Sequence, residues 1–162
     1  MLTLIDVARW TTVLLVCLVL TIAGTSDVRA RRIPNWTVLA IAGLFGVWFF
    51  VGSAASILSS LGAALIIFVC SYTLYAFGMV GAGDSKLATV VALYAGLARL
   101  PEFIFYMSVT GGVLVLCMVA AQPARVLAML QMRGRGGLDK GVPYGVAIAL
   151  AGVMLLLLPI TA

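Results

Sequence analysis

Six apolar runs, at approximately 10–26, 36–52, 56–78, 86–99, 102–122 and 143–161, occupy most of this 162-residue chain. A membrane-crossing helix needs about 20 predominantly apolar residues. Inside a bilayer the backbone must satisfy its own hydrogen bonds, which in runs of this length leaves only helices. Composition agrees: 64% of the residues are hydrophobic and 9% charged, where a soluble domain is roughly 25% charged. A soluble globular protein and a disordered one are both excluded. The fold class expected is all-α, a polytopic membrane helix bundle forming a single domain over 1–162. After six crossings, no length remains for a second, extramembrane domain.

Charge placement sets the expected orientation. Run one has Arg9, offset by Asp6, before it and Arg29, Arg31 and Arg32 after it. That is the reverse of a cleavable signal peptide, so run one reads as a retained span with its N-terminus outside. Run four is short, with 12 clearly apolar residues over Leu87–Ala98, a length that also suits a re-entrant helix. If it crosses, eight basic residues lie inside (Arg29, Arg31, Arg32, Lys86, Arg125, Arg133, Arg135, Lys140) and two outside, Arg9 and Arg99. If it does not, the division is five against five. The positive-inside rule therefore favours six transmembrane helices with both termini outside. The inner loops are then 27–35, 78–85 and 122–142, and 126–132 in the last could lie on the membrane surface as a short amphipathic helix.

Several chemistries drop out. The chain has no histidine, which excludes a Ser/His/Asp triad and a histidine metal site. Cys17, Cys70 and Cys117 lie within apolar runs and form no C-x-x-C pair; they read as small packing residues. The net charge of +5 reads as cationic inner loops rather than a nucleic-acid surface. No metal and no cofactor is expected.

Acids at a membrane edge are few, and each asks for a reason. Asp6 and Glu102 fall on the outer side and read as solvated flanking charges; Asp27, Asp84 and Asp139 fall on the inner side. Two crossings separate Asp27 from Asp84, so they share a face whether the chain crosses five times or six. Asp84 belongs to Gly81-Ala82-Gly83-Asp84-Ser85-Lys86. Composition alone would produce a G-x-G-D pattern roughly 0.05 times in such a chain. A plain reading remains beside the functional one: Asp84 N-caps the next helix, and Asp27 softens an arginine cluster. Ile33-Pro34-Asn35 reads as a chain stop leading into the second helix.

These residues together resemble the type IV prepilin peptidases, bacterial aspartic membrane proteases with a G-x-G-D motif. The first acid followed by I-P-N corresponds to Asp27 through Asn35. The second motif corresponds to Gly81, Gly83 and Asp84, with Lys86 in its usual place. Pro143-Tyr144-Gly145-Val146-Ala147-Ile148 is similar to the family's P-Y-G-x-A-I segment. The short length resembles the Tad/Flp-pilus branch, the CpaA/TadV-like peptidases. The resemblance implies a catalytic pair Asp27/Asp84, with Gly81, Gly83, Lys86, Asn35 and Tyr144 binding substrate or shaping the site. It implies a prepilin or pseudopilin precursor as substrate, lipid and other pilus assembly proteins as partners, and a bacterial inner membrane with the site at the cytoplasmic face. Bifunctional relatives carry paired C-x-x-C motifs and N-methylate the pilin; their absence here implies peptidase activity without methyltransferase activity.

Two-carboxylate hydrolysis needs one ionised and one protonated acid. Helix dipoles suggest a division of labour. Asp84 at a helix N-terminus is the expected base, and Asp27 near a helix C-terminus the expected acid, with Arg29, Arg31 and Arg32 opposing that split. The resemblance also suggests that Lys86 or the basic third loop meets an acid near the start of the mature pilin. Two other classes share parts of this pattern. A presenilin-like protease would carry a Pro-Ala-Leu motif, which is missing. A small transporter would place ionisable groups near mid-bilayer, where these runs have none. A non-enzymatic membrane assembly protein would also be a compact hydrophobic bundle, and it stays open as the alternative.

Overall fold

The structure, a computed structural model, describes residues 4–51, 56–121 and 143–158. These residues are helical and contain no strand. In chain order the helices are α1 (Leu4–Ala30), α2 (Asn35–Phe50), α3 (Ile57–Ala76), α4 (Ala82–Ala121) and α5 (Tyr144–Leu157). Three of them, α1, α3 and α4, are long and apolar enough to cross a membrane, and α2 and α5 are shorter apolar helices. The expected surface helix over 126–132 and the acid Asp139 lie outside the described residues.

Helix ends follow local chemistry. Arg31 adopts φ 53° and returns its N–H to the Asp27 carbonyl at 3.0 Å, a left-handed stop that ends α1. Pro34 is extended (φ −63°, ψ 133°) at the start of α2, and the Thr37 hydroxyl donates to its carbonyl at 2.7 Å. Ser56 caps α3 by accepting the Ser59 N–H at 3.2 Å. Within the helices, hydroxyls turn back on their own backbone. Thr21 donates to Cys17, Thr73 to Val69 and Thr89 to Ser85, so the polar atoms are satisfied without water.

Helix α4 has 40 residues; straight, it would measure about 60 Å, twice the hydrocarbon thickness of a bilayer. It is not straight. Gly96 (φ 59°, ψ 179°) breaks it, and Pro101 beyond the break has no N–H to return to the Leu97 carbonyl. The Leu97 N–H freed at the break donates instead to the Ser59 hydroxyl of α3 at 2.9 Å. Contacts on either side show that the chain reverses. Residues 85 and 97 pair with 71 and 59 of α3 through the Ser85 and Leu97 bonds, so the first half of α4 runs antiparallel to α3. That half runs parallel to α5, since Val91 packs at Gly152 while Asp84 lies at the Gly145 end. In the second half the order inverts: Tyr106 donates to the Leu158 carbonyl and Thr110 to that of Ala147. Runs four and five are thus opposed segments, and the turn falls at Gly96, inside the run expected over 86–99 rather than after it.

The remaining pairs alternate in the same way. Arg9 lies over Trp48 with its guanidinium carbon 6.0 Å from the ring centroid, which makes α1 and α2 a hairpin. The Tyr94 hydroxyl donates to the Ile41 carbonyl at 2.7 Å, holding α2 against α4. One end of the bundle gathers the segments around 27–35, 76–85 and 143–145. The start of α1 and the end of α5 share the other end.

Apolar side chains lie on both sides of the bundle wall: Leu20, Ile41, Leu87 and Phe103 are fully buried beside Ala23, Ala63, Ala92 and Ala151, while Leu14, Leu39, Leu65 and Leu116 are exposed. Such a surface suits lipid, where close backbone approach rather than apolar burial holds helices together. Two expectations are corrected. Glu102 is 7% exposed, not solvated: Arg99 grips both of its oxygens, at 2.7 and 3.2 Å, and also donates to the Leu155 carbonyl. At the reversal this acid finds a cation three residues away in sequence, and packing turns the carboxylate inward. Cys70 and Cys117 are exposed on the bundle surface, and only Cys17 is partly covered.

Candidate active site

Three helix ends converge where 27–35 meets 81–86 and 143–145. Asp27 lies in the last turn of α1 and is 7% exposed. The Gly145 N–H, in the first turn of α5, donates to its Oδ2 at 3.0 Å. Asp84 lies in the first turn of α4, close enough for the charge of Asp27 to act on it.

Glycines make the convergence possible. A Cβ on Gly145 would stand 2.8 Å from Asp27 Oδ2 and 2.8 Å from Ile33 Cδ1. One on Gly81 would stand 3.0 Å from Asp84 Oδ2, and one on Gly83 would stand 3.3 Å from Ile33 Cβ. Ile33 is therefore a wedge shared by the two aspartate strands of the site: its side chain lies against both Gly83 and Gly145. The left-handed turn at Arg31 swings it there, and the Ser26 hydroxyl secures the turn by donating to the Arg32 carbonyl at 3.0 Å. Ser85 anchors the other side, donating to Ser71 and Gly81 carbonyls at 3.2 and 3.3 Å.

Of the residues singled out in sequence, Asp27, Asp84, Gly81 and Gly83 come together. Asn35 and Lys86 meet beside them, Lys86 Nζ donating to Asn35 Oδ1 at 3.4 Å. Tyr144 is half exposed, and its ring points along the second half of α4, with Cε1 3.8 Å from where a Gly111 Cβ would be. Two contributors were not singled out. Gly145 was visible as a glycine at a helix start, where free N–H groups bind anions. Ile33 was read only as part of a chain stop; its wedge role depends on a contact 50 residues away and has no local signal. The structure also alters the dipole reasoning. Asp27 ends α1 but sits on the N-terminus of α5, so both carboxyls face a helix N-terminus and the expected base–acid division loses its basis. Among the described residues no group of three His, Cys, Asp or Glu side chains is gathered to hold a metal ion.

No curated protein and no solved structure matches the chain. The family model of the type IV leader peptidases matches residues 14–116, a stretch containing Asp27, Ile33, Asn35, the Gly81–Lys86 motif and the reversal at Gly96. Tyr144 and Gly145 lie beyond it, and the place of Gly145 beside Asp27 rests on geometry. With most of its length under that match and two carboxyls drawn together at one end of an apolar bundle, the chain belongs to the type IV leader peptidase family.

Proposed function

We propose that Asp27 and Asp84 are the catalytic pair of a membrane aspartic endopeptidase that removes the leader of type IV, Flp-type, prepilins. The observation that carries this reading is the convergence of Asp27, the Gly145 amide and Asp84 across more than a hundred residues of sequence. The ionised member of the pair takes a proton from water as its oxygen attacks the scissile carbonyl carbon. The protonated member gives its proton to the carbonyl oxygen. Collapse of the tetrahedral diol breaks the C–N bond and sends a proton to the leaving nitrogen. The leader departs with a free carboxyl, the mature chain with a free amine, and the pair again holds one proton.

The apolar segments make six crossings in this reading, with the site at the cytoplasmic face of a bacterial inner membrane. Charge supports that orientation: Arg29, Arg31, Arg32 and Lys86 lie at the site's end of the bundle, and Arg9 and Arg99 at the other. Lys86 and Asn35, bonded to each other, stand beside the pair where a substrate acid could be met. The absence of C-x-x-C pairs supports cleavage without N-methylation. The decisive measurement is co-expression with a Flp-type prepilin. Wild type should shorten the precursor, while Asp27→Asn and Asp84→Asn should each lower the rate by at least about a thousandfold. A precursor still shortened by both variants would sink the assignment.

A further inference from the structure

An open apolar groove of about 160 Å³ runs along the seam between α1 and α5. Leu20, Gly24 and Val28 form one wall and Val146, Ala149 and Val153 the other. Its floor is the close approach of Gly24 to Ala149, where a Cβ added to Gly24 would lie 3.3 Å from the Ala149 Cβ. Thr21 and Thr25 also line it, but both hydroxyls already donate to carbonyls of their own helix. The groove therefore offers methyls and methylenes and no free polar atom. From Leu20 to Val28 it is about 12 Å long by helix rise. Among the described residues nothing covers it.

Its inner end identifies the occupant. Val28 follows Asp27 in the chain, and Val146 follows Gly145, whose N–H holds the Asp27 carboxyl. The groove thus ends next to Asp27. On the other side of Asp27, Ile33 fills the space against Gly83 and Gly145, leaving the α1–α5 seam as the apolar approach. The geometry points to this groove as the seat of the substrate's own membrane helix, the apolar segment immediately after the bond that is cut. This inference rests on the peptidase reading above. Seating that helix between α1 and α5 delivers its N-terminal end to the pair as an extended peptide. Two turns of helix, held by shape rather than by hydrogen bonds, set the position of the scissile bond along the membrane normal. The groove therefore reads apolar volume, and sequence discrimination falls to contacts at the pair.

The test uses the full chain in membranes with two substrates: a complete precursor, and a short soluble peptide that spans the junction but lacks the apolar helix. Thr21→Trp and Thr25→Trp fill the groove from its exposed wall without touching the pair. Precursor cleavage should fall about tenfold, and peptide cleavage should stay within about twofold of wild type. A photo-crosslinking residue at Leu150, placed in an Asp84→Asn background, should capture the apolar segment of the precursor, whereas one at Leu65 on α3 should not. Undiminished precursor cleavage by both tryptophan variants overturns the proposal. So does equal loss on the two substrates, or capture from Leu150 of lipid alone or of a second copy of this chain. In each of those cases wild type still cleaves; if wild type cleaves neither substrate, the peptidase reading itself falls.

Discussion

A single methyl group at position 145 would stand 2.8 Å from both the Asp27 carboxyl and Ile33. Neither neighbour is free to yield: Asp27 is fixed by the amide beneath it and Ile33 is wedged against Gly83. Gly145→Ala should therefore keep the bundle folded, with a loss of about 1–3 kcal/mol typical of overpacking, yet lower prepilin cleavage at least tenfold. Thermal unfolding in detergent and a cleavage time course separate the two effects; full activity would show that the Gly145 contact is not part of the working site. The pair also has a pH signature. Cleavage needs one shared proton, so the rate should fall at low pH, where both carboxyls are protonated and no base remains. It should fall again at high pH, where both are ionised and no acid remains. A rate that climbs steadily to a plateau across the accessible range would contradict proton sharing.

Among the elements, α4 is the one whose sequence pattern is least like its form. Residues 86–99 and 102–122 read as two runs, but the turn between them is made by Gly96, inside the first run, with φ 59° and ψ 179°. That region is essentially closed to residues with a Cβ and costs about 1–3 kcal/mol when forced. Gly96→Ala should lower stability by that amount, read as a lower melting temperature in detergent, and the loss should exceed that of Gly43→Ala. Gly43 lies in regular α2 with nothing within 4 Å of an added Cβ, where alanine favours the helix. Equal effects at the two positions would mean that the reversal does not depend on Gly96. Arg99, paired with Glu102, locks the turn to the Leu155 carbonyl of α5. A charged pair three residues apart reads in sequence as a loop at the membrane surface, and only the packing of α5 above it turned the acid inward.

At the scale of the whole molecule, the segments alternate so that 27–35, 76–85 and 143–145 share one end and the start of α1 and the end of α5 share the other. Cysteine introduced at Arg32 in a cysteine-free background should react with a membrane-impermeant maleimide only after the inner membrane is opened. Cysteine introduced at Leu4 should react from the outside. Labelling of both from the same side would break the antiparallel arrangement of α1. Hydropathy and charge are local sums, and a lipid environment leaves an apolar run few alternatives to a helix. That is why the helical class, the runs and the shared face of Asp27 and Asp84 followed from the residues alone, and why three short motifs sufficed to suggest the family. Convergence of the two acids at one end of the bundle is a different kind of fact. It needs the left-handed turn at Arg31, the wedge of Ile33 and the start of α5 to meet, and none of these is announced by its neighbours. The groove between α1 and α5 and the buried state of Glu102 likewise arise from helices far apart in sequence. Pattern decides what each segment must become in lipid; only packing decides which segment ends share a pocket, because close approach depends on where side chains are missing on both partners.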